Sequence, residues 1–151
     1  MKQLLLDIQP AAQPSLANFV VGQNAEALTN LALACQGHPE ARFVYLWGPA
    51  GSGKTHLLQA CTAAAQQHGV PLLVADDVHL LNEEDQIALF DAYNQLRADS
   101  GTLITSGIAS PLQMGLRDDL ATRLAWGLVY QLHPLSDIEK AEALISTADH
   151  S

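Results

Sequence analysis

Eight consecutive residues, Gly48-Pro49-Ala50-Gly51-Ser52-Gly53-Lys54-Thr55, follow the pattern G-x-x-x-x-G-K-[ST]. Glycines at these spacings let a backbone wrap with its N–H groups turned inward, where phosphate oxygens accept them. A lysine at the end of such a loop reaches the β- and γ-phosphates of a nucleotide. The hydroxyl after it, here Thr55, is a ligand for Mg²⁺. A second pair of groups suits the same chemistry. Asp76 and Asp77 close an apolar run, Leu72-Leu73-Val74-Ala75. Carboxylates at the tip of a buried strand hold a divalent cation against triphosphate charge. Asp76 is expected in the Mg²⁺ shell, and Asp77 is expected to orient or deprotonate an attacking water.

The elements that must position these groups are legible from spacing. Phe43-Val44-Tyr45-Leu46-Trp47 is an apolar run leading into the loop, and Thr55 to about Gln67 has helical character. A strand, a glycine-rich turn and a helix N-terminus are the setting the loop requires, with the helix dipole favouring an anion. Helical spacing also covers Asn24 to Cys35, Glu83 to about Arg97 (Ile87, Phe90, Tyr93 and Leu96 inward) and about Leu116 to Leu124. The four strands are expected at about 42–47, 71–77, 101–106 and 128–132. The run 71–77 reads as a parallel strand buried on both faces. Ser136-x-x-Glu139 opens a last helix as a capping box. Strands alternating with helices predict an α/β fold: a parallel sheet of about four strands with flanking helices, ligands at the strands' carboxyl ends.

Net charge is −9, and no lysine- or arginine-rich run occurs. Duplex affinity comes largely from cations that neutralise phosphates, so direct DNA binding is not expected. No apolar stretch reaches the roughly 20 residues of a membrane span. Residues 1–10 are too short for a secretory signal. Cys35 and Cys61 lack metal-ligand spacing and read as buried, reduced thiols. A cytoplasmic location follows from these. The six histidines form no metal or nucleophile constellation, and no nucleophile-elbow motif is present. Thr105-Ser106-Gly107 ends a strand beside the acids; its hydroxyls either sense a γ-phosphate or satisfy a turn. Arg117 and Arg123 stand in an arginine-poor stretch, and either is a candidate to stabilise phosphoryl charge on a neighbouring molecule.

Taken together, Asn18-Phe19-Val20-Val21-Gly22, the loop followed by His56-Leu57-Leu58, Asp76-Asp77-Val78 and Thr122-Arg123-Leu124-Ala125-Trp126-Gly127-Leu128 resemble the AAA+ ATPase domain of DnaA, the bacterial replication initiator. Residues 87–94 and 132–140 are similar to its regulatory-inactivator branch. The resemblance implies a P-loop NTPase core over 15–135, bound to ATP or ADP with Mg²⁺. It implies an adenine pocket lined by Phe19, Val20, Val21 and Gly22, with His56 at the loop. Arg123 falls on the family's arginine-finger position. Residues 1–14 become an arm whose Gln3-Leu4-Leu5-Leu6-Asp7-Ile8 resembles the peptide that binds the DNA polymerase sliding clamp, through Gln3, Leu4, Leu6 and Ile8. The implied task is to join the clamp and promote hydrolysis of ATP on DnaA, with weak hydrolysis of its own.

Three departures accompany the resemblance. Gly107 stands where the family carries an acid, and Asp119 where the initiator has a second arginine. Only Gly69-Val70 separates the loop helix from the next strand, where relatives carry an extra strand and helix at the sheet edge. Residues 136–151 read as the start of a truncated lid helix, so the expected fold is shortened, its lid domain largely absent. A helicase-loader-type ATPase, a small-molecule kinase and an isolated nucleotide-binding fragment are the alternatives.

Overall fold

The computed structural model describes residues 24–49 and 52–133. Helix α1 (Ala25–Cys35) leads through a 3₁₀ turn at Pro39–Ala41 into β1 (Phe43–Trp47). The loop and α2 (Lys54–His68) follow, then β2 (Leu72–Ala75) and a 3₁₀ turn at Val78–Leu80. Helix α3 (Glu83–Ala98), β3 (Thr102–Gly107), a 3₁₀ turn at Pro111–Gln113, α4 (Asp118–Trp126) and β4 (Leu128–Gln131) complete the described chain. The capping box at 136, the arm, the segment Phe19–Gly22, and Ala50 and Gly51 of the loop lie outside the described residues.

The sheet has four parallel strands in the order β2-β3-β1-β4. Side-chain alternation along β1 explains why both faces are covered. Val44 and Leu46 point into a core with Leu31, Leu57, Leu58, Cys61 and Ile104, beneath α1 and α2. Tyr45, with Phe43 and Trp47, points into a second core with Leu89, Tyr93, Leu103, Leu120 and Leu124, beneath α3 and α4. Each fully buried leucine contributes about 1.5–3 kcal/mol by leaving water. Cys35 and Cys61 are buried free thiols, and the Cys35 Sγ donates to the Cys61 carbonyl at 3.5 Å.

Helix boundaries follow local chemistry. Gly53, at φ +96°, takes the left-handed turn that starts α2, and Gly69, at φ +68°, ends it. Asn82 caps α3 by accepting the Asp85 amide at 2.8 Å, with Glu83, Glu84 and Asp85 in the dipole-favoured first turn.

Two expectations are corrected. The strand expected to be buried on both faces, β2, is an edge strand. It pairs with β3 alone, and Leu73 is 38% exposed. An apolar run reports hydrophobicity, not how many neighbours the strand has. On α3, Leu89 and Tyr93 are buried, whereas Ile87 is 41% exposed. Phe90, Tyr93 and Leu96 pack inward as expected, and Ile87 is the exception. Beside it, the Gln86 side chain faces the fold, bonding the Leu81 carbonyl and the Arg117 amide.

Candidate phosphate site at the carboxyl ends of the sheet

The parallel register brings the chemical groups together. Trp47 pairs with Gly107, and Ala75 pairs with Thr105. One step beyond that last couple stand Asp76 and Ser106. The loop leaves β1 at the same height, where the Gly48 amide bonds the Gly107 carbonyl at 3.3 Å. Gly48 must lack a side chain: a Cβ there would stand 2.7 Å from the Leu132 carbonyl.

Asp76 is held at both oxygens. Oδ2 accepts from the Thr55 hydroxyl at 2.7 Å, and Oδ1 accepts from the Ser106 hydroxyl. The Ser106 oxygen in turn accepts the Asp77 amide at 2.9 Å. Asp77 adopts a left-handed conformation, φ 53° and ψ 52°, which is uncommon outside glycine and concentrates at functional sites. Thr55 and Asp76 thus present two oxygen donors to one point, a fit for a hard cation such as Mg²⁺.

Lys54 is only 8% exposed. Its Nζ donates to the Gly48 carbonyl at 2.6 Å and the Pro49 carbonyl at 3.1 Å. Among the described residues no carboxylate lies within ion-pair distance of it. An ammonium has three N–H donors. Two meet neutral oxygens, so the third donor and the whole charge are left for an anion. The Ser52 hydroxyl in the same loop, on a residue 4% exposed, has no hydrogen-bond partner among the described residues. An unmatched cation and an unmatched hydroxyl suit a phosphate. His56 follows Thr55 on the first turn of α2.

The hydroxyls at the end of β3 have separate fates. Thr105 is buried against the Val44 carbonyl, whereas Ser106 orients the acids. Gly107 has a physical reason. A Cβ at this position would collide with the Tyr45 hydroxyl and approach Met114 Sδ to 2.8 Å. That hydroxyl donates to the Ala109 carbonyl at 2.6 Å, and burial pushes the phenol pKa up.

The two arginines also part. Arg117 bonds Glu83 at 2.9 Å and Asp119 at 3.3 Å. Hydrogen bonding and charge within that pair raise the Arg117 pKa and lower that of Asp119. Arg123 has no such partner among the described residues. It shares a small crevice with Phe43, Tyr93 and Leu103, where β1 and β3 begin. The crevice also reaches Tyr45 and Thr105 at mid-strand, on the face of the sheet beneath α3 and α4, and Gly127 at the end of the same helix abuts the Phe43 carbonyl at the start of β1, whereas Lys54 and Asp76 stand at the strands' carboxyl ends. Its Cζ sits 4.2 Å from the Trp126 ring centroid and 5.7 Å from that of Phe90. Sequence reasoning missed those two aromatics, although the i, i+3 spacing of Arg123 and Trp126 on a helix signals the contact.

Among the described residues, no helix is long and apolar enough to cross a membrane, and no cluster of three metal-binding side chains occurs.

The profile of the family Bacterial DnaA ATPase domain matches residues 12–70. The structure resembles AMPPCP-bound DnaA from Aquifex aeolicus with a TM-score of 0.79 at 21% identity, over 92% of this chain and 56% of that one. Domain III of the Thermotoga maritima replication initiation protein DnaA matches with a TM-score of 0.75 at 21% identity, over 93% of this chain and 77% of that one. These likenesses establish the fold, and this chain spans about half the length of the Aquifex chain. The protein NMB1076 from Neisseria meningitidis is 32% identical over 77% of this chain and 88% of its own, with a TM-score of 0.53. The profile match over residues 12–70 and the fold are thus those of the DnaA ATPase domain, and NMB1076 is a relative at 32% identity.

Proposed function

We propose that this chain binds ATP or ADP with Mg²⁺ and regulates replication initiation in the manner of the DnaA regulatory inactivator Hda. The observation that carries the nucleotide part is Lys54, a buried ammonium met only by two neutral carbonyls among the described residues. The loop Gly48–Thr55 would cradle the phosphates with its amides. Phe19, Val20, Val21 and Gly22 would line the adenine. Thr55 and Asp76 would hold the metal, and Ser106 keeps Asp76 aimed. The metal, when bound, supplies positive charge that phosphoryl oxygens need. Asp77 would hydrogen-bond a water beside the γ-phosphate. Gly107 offers no side chain to sense that phosphate, so the chain's own turnover is weak. The A. aeolicus DnaA relative was solved with AMPPCP bound, which supports the same ligand class here.

The regulatory part rests on Arg123. An arginine set away from its own phosphate site, with no carboxylate partner among the described residues, is suited to the ATP of a neighbouring DnaA, where such a group stabilises phosphoryl charge. Gln3, Leu4, Leu6 and Ile8 would dock on the sliding clamp. With a net charge of −9, DNA contact comes from that partner.

Single-turnover hydrolysis of ATP on DnaA, in the presence of DNA-loaded clamp, tests this. The chain should accelerate hydrolysis, and a Gln3→Ala/Leu6→Ala variant should bind nucleotide yet lose the acceleration. Stimulation equal in the two would remove the clamp arm. No stimulation by the parent chain would reduce the protein to a nucleotide-binding module.

A further inference from the structure

Trp126 leaves 60% of its surface in water on the last turn of α4, and its indole covers a cation. Arg123 Nε is shut away from solvent with no acceptor among the described residues. An N–H buried without an acceptor is costly, so something else must hold the group there. Two rings do so, Trp126 from the same helix and Phe90 from α3. A planar guanidinium lies well against an aromatic face, which attracts the charge without accepting its in-plane N–H donors. Arg117, six residues earlier, shows the other solution: Glu83 and Asp119 occupy its donors and cancel its charge. An acid partner must be displaced before a phosphate can bind, whereas an indole face does not compete with phosphate oxygens.

We propose that Trp126, assisted by Phe90, is a positioning residue that holds the Arg123 guanidinium fixed and uncompensated for the γ-phosphate of a nucleoside triphosphate carried by a second protein. The inference rests on the reading of Arg123 given above. Orientation set in advance acts on the transition state, so it shows in the maximal stimulated rate and not in the affinity between the proteins.

The stimulated hydrolysis assay, run as a titration of this chain against its ATP-loaded partner, separates the two quantities. Trp126→Leu should lower the maximal rate by roughly tenfold, about 1.4 kcal/mol, with half-saturation unchanged. Trp126→Phe, which restores a weaker ring face, should recover most of the rate. Both variants should keep nucleotide binding and thermal midpoint, because the side chain is mostly exposed. A Trp126→Leu chain with the parent's maximal rate, or one altered only in half-saturation, overturns the proposal. So does a Trp126→Phe chain as slow as Trp126→Leu. Arg123→Ala, measured beside them, separates the layers. Loss of stimulation in Arg123→Ala with none in Trp126→Leu refutes the aromatic clamp alone. Parent-level stimulation by Arg123→Ala refutes the finger reading and the clamp together.

Discussion

The Ser106 hydroxyl donates to the Asp76 carboxylate and accepts the Asp77 amide, so one buried serine on β3 sets both acids at the tip of β2. With Thr55 on the other carboxylate oxygen, Asp76 has little freedom to turn. Groups behind a metal ligand contribute to affinity by fixing its orientation. Ser106→Ala should therefore weaken Mg²⁺-dependent nucleotide binding by roughly 10- to 100-fold while the fold persists. Calorimetric titration at fixed nucleotide and varied Mg²⁺ measures it. Affinity equal to the parent's would return Ser106 to a turn-filling role.

Lys54→Ala removes a buried charge that no described acid balances. Its effect should appear in ligand binding and hardly at all in the chain's intrinsic stability. At a nucleotide concentration 100 times Kd, binding stabilises the folded state by about 2.7 kcal/mol. For a domain of this size that raises Tm by roughly 5–10 °C. The variant should show no such rise in a thermal scan with Mg²⁺ and ATP. A shift as large as the parent's would remove the phosphate-loop assignment.

Gly107→Ala forces a methyl group onto the Tyr45 hydroxyl and Met114. Overpacking at so closed a point costs about 1–3 kcal/mol. Adding Tyr45→Phe clears the collision, so the double variant should be less destabilised than the sum of the two single changes. Urea unfolding of the four chains gives the coupling directly. Strict additivity would mean that the Tyr45 hydroxyl is not what excludes a side chain at 107.

Tyr45 also carries a pH dependence. Its phenol is pushed up by burial, so the folded chain keeps it neutral where the unfolded chain ionises. The stability it contributes is complete below about pH 10, the unfolded value, and falls as pH rises past it. Tyr45→Phe should cost about 1 kcal/mol at neutral pH through the lost bond to Ala109. It should also flatten the decline between pH 9 and 11 relative to the parent. Parallel declines would show that other groups govern alkaline unfolding.

The four strands and most helix limits were legible in the sequence because each depends on near neighbours in the chain. The glycine spacing of 48–55 needs only local backbone geometry, and an apolar run such as 43–47 announces a strand wherever it packs. Edge position was not legible. Leu72–Ala75 is as apolar as a central strand, yet β2 pairs on one side only. On α3 the period located Phe90, Tyr93 and Leu96 but not the limit of the buried stripe, because Ile87 in the first turns faces water while Gln86 beside it bonds Leu81 and Arg117.

By itself, the sequence determined which groups are on offer: a glycine-rich loop ending in a lysine, a threonine and an aspartate suited to a cation, and two arginines. Those are properties of residue type and short spacing, which folding leaves unchanged. Only the tertiary structure decided how the groups are used. Ser106 became the support of Asp76, Tyr45 closed position 107, Glu83 paired with Arg117, and Trp126 with Phe90 came to face Arg123. All but the Trp126 contact join residues roughly 30 or more positions apart. Each is set by strand register and helix packing, which no local pattern encodes.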